Sequence, residues 1–236
     1  PFKKAPAKKF TWPFVKPTTR AALKATILTN RARQHALSAV APLFATLPEE
    51  RHSLRPLRPA PLVIRHGVFT LQATPTSHGK GSAFAIQIDG QVWGVTARHV
   101  LDDIGRSPYM SVLDKHGKPL LFQVNSAHEG NIHGADIAIF PLPKEALPYV
   151  IPFQPEYTLP EAKSSIQSAG FSHGNFGWFP RIQVLFSSGH RILTRYQDSP
   201  IRSGYCGSPL LHNGKVIGVF TGVVTADNAK TSAWYL

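Results

Sequence analysis

The chain has one cysteine, Cys206, in the stretch "SGYCGSPLLHNGKVIGVFTG", with Gly204 and Gly207 close on either side and a strand-like run just beyond. A thiolate attacks carbonyl carbon readily, but a free thiol near neutral pH is mostly protonated, so the chemistry needs a base within hydrogen-bond reach. Eleven histidines could serve. His35 and His52 lie in a basic N-terminal arm, and His66, His78, His116, His128, His133, His173, His190 and His212 fall in turns or at strand edges. His99 differs. It follows the strongly β run "VWGVTAR" and precedes "VLDD", where a strand gives way to a turn or short helix.

A carboxylate can fix the tautomer of such an imidazole. Asp136, in "HGADIAIFPL", is the one charge at the mouth of an otherwise apolar strand. Asp102 and Asp103 follow His99 too closely to turn back onto its ring without a special turn. Taken singly, the ordinary readings are a structural histidine, a turn-capping aspartate and a buried cysteine. Taken together they run His99, Asp136, Cys206, separated by 37 and then 70 positions. That order suits nucleophilic attack assisted by an oriented base, with the base in one half of a body and the thiol in the other.

The elements that must position these groups are short and β-rich. "GVFTLQAT", "GSAFAIQIDG", "QVWGVTARHV", "YMSVLDKHG", "PLLFQVNS" and "ADIAIFPL" read as strands, and after a Pro-containing joint near 141–160 so do "SIQSAGF", "RIQVLFS", "HRILTRYQ", "SPLLHNG", "KVIGVFTG" and "TSAWYL". Little helix separates them, which argues for an all-β body and against βαβ units. Two groups of about six strands make two barrels the economical arrangement, with boundaries expected at 61–150 and 151–236. A cleft between the barrels would gather His99, Asp136 and Cys206.

Residues 1–60 are different in kind. They carry 12 Lys and Arg against 2 acids, a net of +10 out of the formal +13 of all 236 residues. The arm opens on "PFKKAPAKKF", continues through an Ala- and Leu-rich stretch from about Thr18 to Leu47 that could be helical with a break at Pro42, and ends in the Pro-rich linker "LRPLRPAPL". Such a segment suits RNA or an anionic membrane surface, or serves as a solvated linker between neighbours in a longer precursor. An RNA-binding or scaffold module is therefore the rival functional class, although no motif of the RRM or KH type is present. No DNA partner is expected. One cysteine excludes a disulfide framework and a cysteine-cluster metal site and fits a reducing compartment. No cofactor or metal is implied, no apolar run of about 18 residues suggests a transmembrane helix, and the N-terminus lacks the apolar centre of a secretory signal.

"GVTARHVLDD", "ADIAIF" and "GYCGSPL…VIGVFTG" resemble the three signature segments of chymotrypsin-like peptidases. With cysteine as nucleophile the chain is similar to the 3C-like cysteine proteases of positive-strand RNA viruses. "TARHV" and "VIGVFTG" also resemble sobemovirus and polerovirus proteases, which use serine where this chain has Cys206. The resemblance covers about residues 64–236 and implies a double β-barrel, a catalytic His99, Asp136 and Cys206, and cleavage of a viral polyprotein in the host cell cytoplasm. It also implies that the turn aims the N–H groups of Gly204, Cys206 and Tyr205 at a developing oxyanion, with Gly204 and Gly207 turning where a Cβ would clash. Ile201 and Phe220, the latter followed by Thr221, fall where related enzymes select glutamine with a threonine and a histidine. Both polar positions are apolar here, which implies an apolar pocket for the residue before the scissile bond.

Overall fold

The computed structural model describes residues 60–77, 79, 81–105, 107–124, 136–188, 191–196, 203–226 and 229–235. The arm up to residue 59 and the expected helix within it lie outside the described residues, as does Ile201.

Residues Glu49–Leu236 form one compact unit. A short helix α1 (Leu62–Gly67) leads into β1 (Val68–Gln72), β2 (Gly81–Ile88) and β3 (Gln91–Thr96). Helix α2 (Arg98–Ile104) follows, then β4 (Tyr109–Leu113), β5 (Pro119–Gln123) and β6 (Ala138–Pro141). These six strands make one antiparallel sheet in the order β5-β4-β1-β2-β3-β6. After a 3₁₀ turn (Lys144–Tyr149) come β7 (Ser165–Ser172), β8 (Asn175–Ser188), β9 (Arg191–Tyr196), β10 (Pro209–His212), β11 (Lys215–Ala226) and β12 (Ala229–Tyr235). They close into a barrel in the order β10-β11-β12-β9-β8-β7.

Sequence alternation explains much of this. In β4 and β5 every second residue points inward, so Met110, Val112, Leu120 and Phe122 join Phe69, Leu71, Ala85 and Phe140 in the first core. The barrel closes over Ile166, Ile182, Val184, Ile192, Leu210, Ile217 and Phe220. β2 does not alternate, because both of its faces are covered. Ala83 and Ala85 face the first core, while Phe84 and Ile86 pack with Val95, Ala169, Leu211 and Val219 in a seam between the two sheets. The joint strengthens that seam. Phe153 bonds to β2 through Phe153 N–H to Ala85 O (2.9 Å) and Gln87 N–H to Phe153 O (2.9 Å). The next residues bond to β11, with Val216 N–H donating to Gln154 O (2.9 Å) and Glu156 N–H to Val216 O (2.7 Å).

The expected strands are all present, and β8 is longer than the sequence suggested. It begins at Asn175 rather than near Arg181 and runs through Gly177 and Pro180. Proline is tolerated in a sheet at irregularities, and Pro180 lies where the β7–β8 register shifts between Ile166 and Ser168. Among the described residues, no helix is long and apolar enough to cross a membrane.

Candidate active site

His99 enters the site on the first turn of α2, immediately after β3 ends. Asp136 comes from the residues just before β6, and β6 pairs with β3, so the strand register brings Asp136 back to the start of that helix. Its carboxylate makes two contacts there. Oδ1 accepts the backbone N–H of His99 at 2.9 Å, and Oδ2 lies 2.5 Å from Nδ1 of the same residue. Asp136 O also accepts the Arg98 N–H at 3.2 Å. One aspartate therefore caps an otherwise uncapped helix start and fixes the imidazole with Nδ1 turned toward the carboxylate. Asp102, the rival carboxylate, lies 3.8 Å from Arg98 on the outer face of α2 and is 57% exposed.

Cys206 comes from the second sheet and stands near enough to the same imidazole to favour its charged form. It packs against both cores, on the seam between the two sheets. The Asp136 hydrogen bond, and after it the nearby Cys206 side chain, push the His99 pKa up from 6.5 to about 10 against the opposing effect of burial. His99 is thus held as an imidazolium at neutral pH. It remains open to a ligand, with its side chain 40% exposed.

The turn bearing Cys206 is built from glycines in the left-handed region, Gly204 at φ +101° and Gly207 at φ +87°. At Gly207 the backbone passes so close to Ser82 O and Thr96 Oγ1 that a Cβ would strike both. Gly207 N–H donates to Phe220 O (2.7 Å) and Ser208 N–H to Tyr205 O (3.0 Å). The N–H groups of Gly204 and Cys206 take no acceptor among the described residues. A turn with its carbonyls bonded and these two donors open can receive an anionic oxygen.

The other expected site residues are spread more widely. The Tyr205 ring packs edge-on against Phe179 at 5.0 Å and lies over Gly177. Phe220 is 1% exposed, its ring part of the barrel core. The Thr221 carbonyl lies 4.0 Å from Cys206 Sγ, and its buried Oγ1 has no hydrogen-bond partner. Three residues in the site carried no sequence signal. Ser82 is fully buried and bonded to the Cys206 turn, Thr96 Oγ1 donates to Ser82 O (2.7 Å), and Ser172 Oγ donates to Ser203 O (2.8 Å). Each reads as an ordinary strand serine or threonine until the fold sets it against the turn. Among the described residues, no group of three or more His, Cys, Asp or Glu side chains could hold a metal ion.

Two lobes of six antiparallel strands, the second a closed barrel, with His99 and Asp136 on one and Cys206 on the other, define the chymotrypsin-like two-barrel fold. Solved structures with this fold align over most of the chain. The serine protease of a human pathogenic astrovirus is 14% identical, with a TM-score of 0.51, covering 73% of this chain and 90% of its own. The serine protease domain of the Sesbania mosaic virus polyprotein is also 14% identical with a TM-score of 0.51, covering 71% and 87%. Human heparin binding protein is 16% identical with a TM-score of 0.55, covering 75% and 89%. At such identities the likeness establishes the fold and not the activity. No protein-family model and no curated protein matches the chain.

Proposed function

We propose that the chain is a cysteine endopeptidase that processes the polyprotein of a positive-strand RNA virus. The observation that carries this reading is the meeting of His99, Asp136 and Cys206 at the seam of two lobes, with Asp136 Oδ2 2.5 Å from Nδ1 of His99. The likeness in fold to an astrovirus protease and to a protease domain of the Sesbania mosaic virus polyprotein supports a viral setting.

In this reading the proton of Cys206 rests on His99 as the imidazolium, and the thiolate so formed attacks the scissile carbonyl carbon. The carbonyl oxygen becomes an oxyanion, received by the N–H groups of Gly204 and Cys206, with the Tyr205 N–H beside them. The His99 imidazolium then protonates the leaving amine, the C–N bond breaks, and a thioester to Cys206 remains. His99 next takes a proton from water, whose oxygen attacks the thioester, and the thiolate leaves with the acid product. Asp136 holds the imidazole in orientation and stabilises its charged form. Ile201 and Phe220 stand where related enzymes carry the polar selectors of glutamine, so peptides with a large apolar residue before the cut should outrun matched glutamine peptides in a peptide-library digest. A wild type that prefers glutamine by about tenfold, roughly 1.4 kcal/mol, would show that the pocket is misassigned.

Residues 61–150 and 151–236 form the two lobes of this reading, and the basic residues 1–60 hold RNA or an anionic membrane surface near the enzyme. The host cytoplasm, where a free thiol persists, is the fitting compartment. The direct test labels the protein with iodoacetamide and measures peptide cleavage. Cys206→Ala should lose both while keeping its fold, and His99→Ala should lose about 10²–10⁴-fold in turnover together with its fast alkylation. Cleavage at the wild-type rate by Cys206→Ala would end the proposal.

A further inference from the structure

Four successive carbonyls of the Cys206 turn are each held by a donor. Ser172 Oγ–H donates to Ser203 O at 2.8 Å, and Ser82 Oγ–H to Gly204 O at 2.9 Å. Ser208 N–H donates to Tyr205 O at 3.0 Å, and Ser82 N–H to Cys206 O at 2.8 Å. The chain has no cis peptide among the described residues, so within each of these peptide units the N–H points opposite to the C=O. Pinning a carbonyl therefore aims the next residue's N–H. The Ser203 carbonyl fixes the peptide that carries Gly204 N–H, and the Tyr205 carbonyl fixes the peptide that carries Cys206 N–H. Between them the Gly204 carbonyl fixes the intervening plane. Glycine at position 204 offers little torsional resistance of its own, since both signs of φ are open to it. Without an acceptor lock, the Ser203–Gly204 peptide could turn its carbonyl to where its N–H now points.

Two of the four locks are side-chain hydroxyls, one from each lobe. Ser172 ends β7 at 6% exposure, and Ser82 is the second residue of β2 at 0%. Ser82 is itself braced, because its Oγ accepts Phe171 N–H at 2.8 Å and its carbonyl accepts Thr96 Oγ1–H at 2.7 Å. The hydroxyl proton of Ser82 is thereby directed at Gly204 O. Among the described residues, no hydrogen bond joins either hydroxyl to His99, Asp136 or Cys206 Sγ.

From this geometry we propose that Ser172 and Ser82 are positioning residues that keep the Gly204 and Cys206 N–H groups aimed at the reacting carbonyl oxygen. The proposal rests on the protease reading and assigns these serines to the acyl-transfer step alone. It separates two reactions of one sulfur. Iodoacetamide is attacked at a saturated carbon: the S–C bond forms, iodide leaves, and no oxyanion arises. p-Nitrophenyl acetate is attacked at its carbonyl: a tetrahedral oxyanion forms, p-nitrophenolate leaves with the bonding pair, and Cys206 is left acetylated.

The experiment measures both rate constants on the full chain for wild type, Ser172→Ala, Ser82→Ala and Ser172→Thr, with thermal melting to follow the fold. Ser172→Ala should slow acetylation by about tenfold or more, a part of the roughly 10²–10³-fold that outright loss of an oxyanion donor costs, while alkylation stays within about twofold. Ser82→Ala should behave alike, and Ser172→Thr, which keeps the hydroxyl, should restore acetylation. Should the fully buried Ser82 site not tolerate alanine, Ser172→Ala and its threonine rescue still decide. Equal rates for Ser172→Ala and wild type in both reactions would overturn the proposal, and so would a parallel fall in both. If wild type is acetylated no faster than the unfolded chain and His99→Ala makes no difference, the protease reading falls and the proposal with it.

Discussion

His99 carries the clearest electrostatic signature in the molecule. Its ring is held charged first by the Asp136 carboxylate and then by Cys206, with a pKa raised from 6.5 to about 10. A group whose pKa is higher in the folded state stabilises the fold fully below its unfolded value, here about 6.5, and that stabilisation fades as pH climbs through about 10. Asp136→Asn removes the largest cause of the shift. The imidazole of the variant should therefore titrate well below that of wild type, and its stability deficit, largest below about pH 6.5, should shrink as pH rises toward 10. Titration of the His99 ring protons by NMR, with urea melts at matched pH, reads both. A ring that titrates alike in the two proteins would sink this account. Turnover should suffer less in Asp136→Asn than in His99→Ala, because a thiol is more acidic than an alcohol and needs less help from an oriented base. Each of these three residues, which the fold brings together, stood out in the sequence as an oddity in its own segment: the lone thiol, the lone charge before an apolar strand, the histidine at the end of a β run. Ser82 and Ser172 were not legible in that way. Ser82 meets Gly204 across 122 positions and Ser172 meets Ser203 across 31, and nothing local distinguishes a clamping serine from any other strand serine.

At the scale of elements, the turn from Ser203 to Ser208 is the part on which most contacts converge. β2 supplies Ser82, β3 supplies Thr96, β7 supplies Ser172, and β11 supplies Phe220, whose backbone bonds on both sides of the turn, to Gly207 and Ser208. Gly207→Ala tests that convergence. A Cβ there meets Ser82 O and Thr96 Oγ1, and alanine must also adopt φ +87°, which costs about 1–2 kcal/mol before any clash is counted. The variant should lose at least that much stability in urea melts and should lose fast alkylation of Cys206, because the backbone has to retreat from β2. An alanine variant as stable and as reactive as wild type would mean that the turn is softer than its contacts indicate. The strands themselves were legible through alternation in β4 and β5 and through turn residues between runs. The first half of β8 was not, since Gly177 and Pro180 read as breakers and only the register shift against β7 accommodates the proline. Helix α1 and the 3₁₀ turn were missed because six residues each is too short for a helical period to show. Phe220 marks another limit. Sequence alignment can place it beside a pocket, but the burial of its ring comes from packing with Ile166, Ile182, Leu210 and Ile217 inside the closed barrel.

At the scale of the whole molecule, charge and chemistry separate along the chain. All proposed catalytic groups lie in the compact unit Glu49–Leu236, whereas residues 1–48 hold nine Lys and Arg and no acid. Phe153 ties the joint to the seam of that unit. Its ring sits edge-on to Phe84 at 6.3 Å in the seam, and its backbone is bonded to β2. A chain starting at Glu49 keeps the whole seam and should therefore keep peptide cleavage and Cys206 alkylation close to wild type. Removing nine of the positive charges should weaken binding to single-stranded RNA or to phosphatidylserine vesicles, and most of all at low salt. Each phosphate contact that is lost flattens the dependence of log affinity on log salt by about 0.7 for a single strand. Filter binding of an oligonucleotide across a salt series, run beside the cleavage assay, separates the two functions. A truncated chain that binds RNA with the wild-type salt slope would place the nucleic-acid surface on the barrels. One that folds but no longer cleaves would show that the arm contributes to the active site.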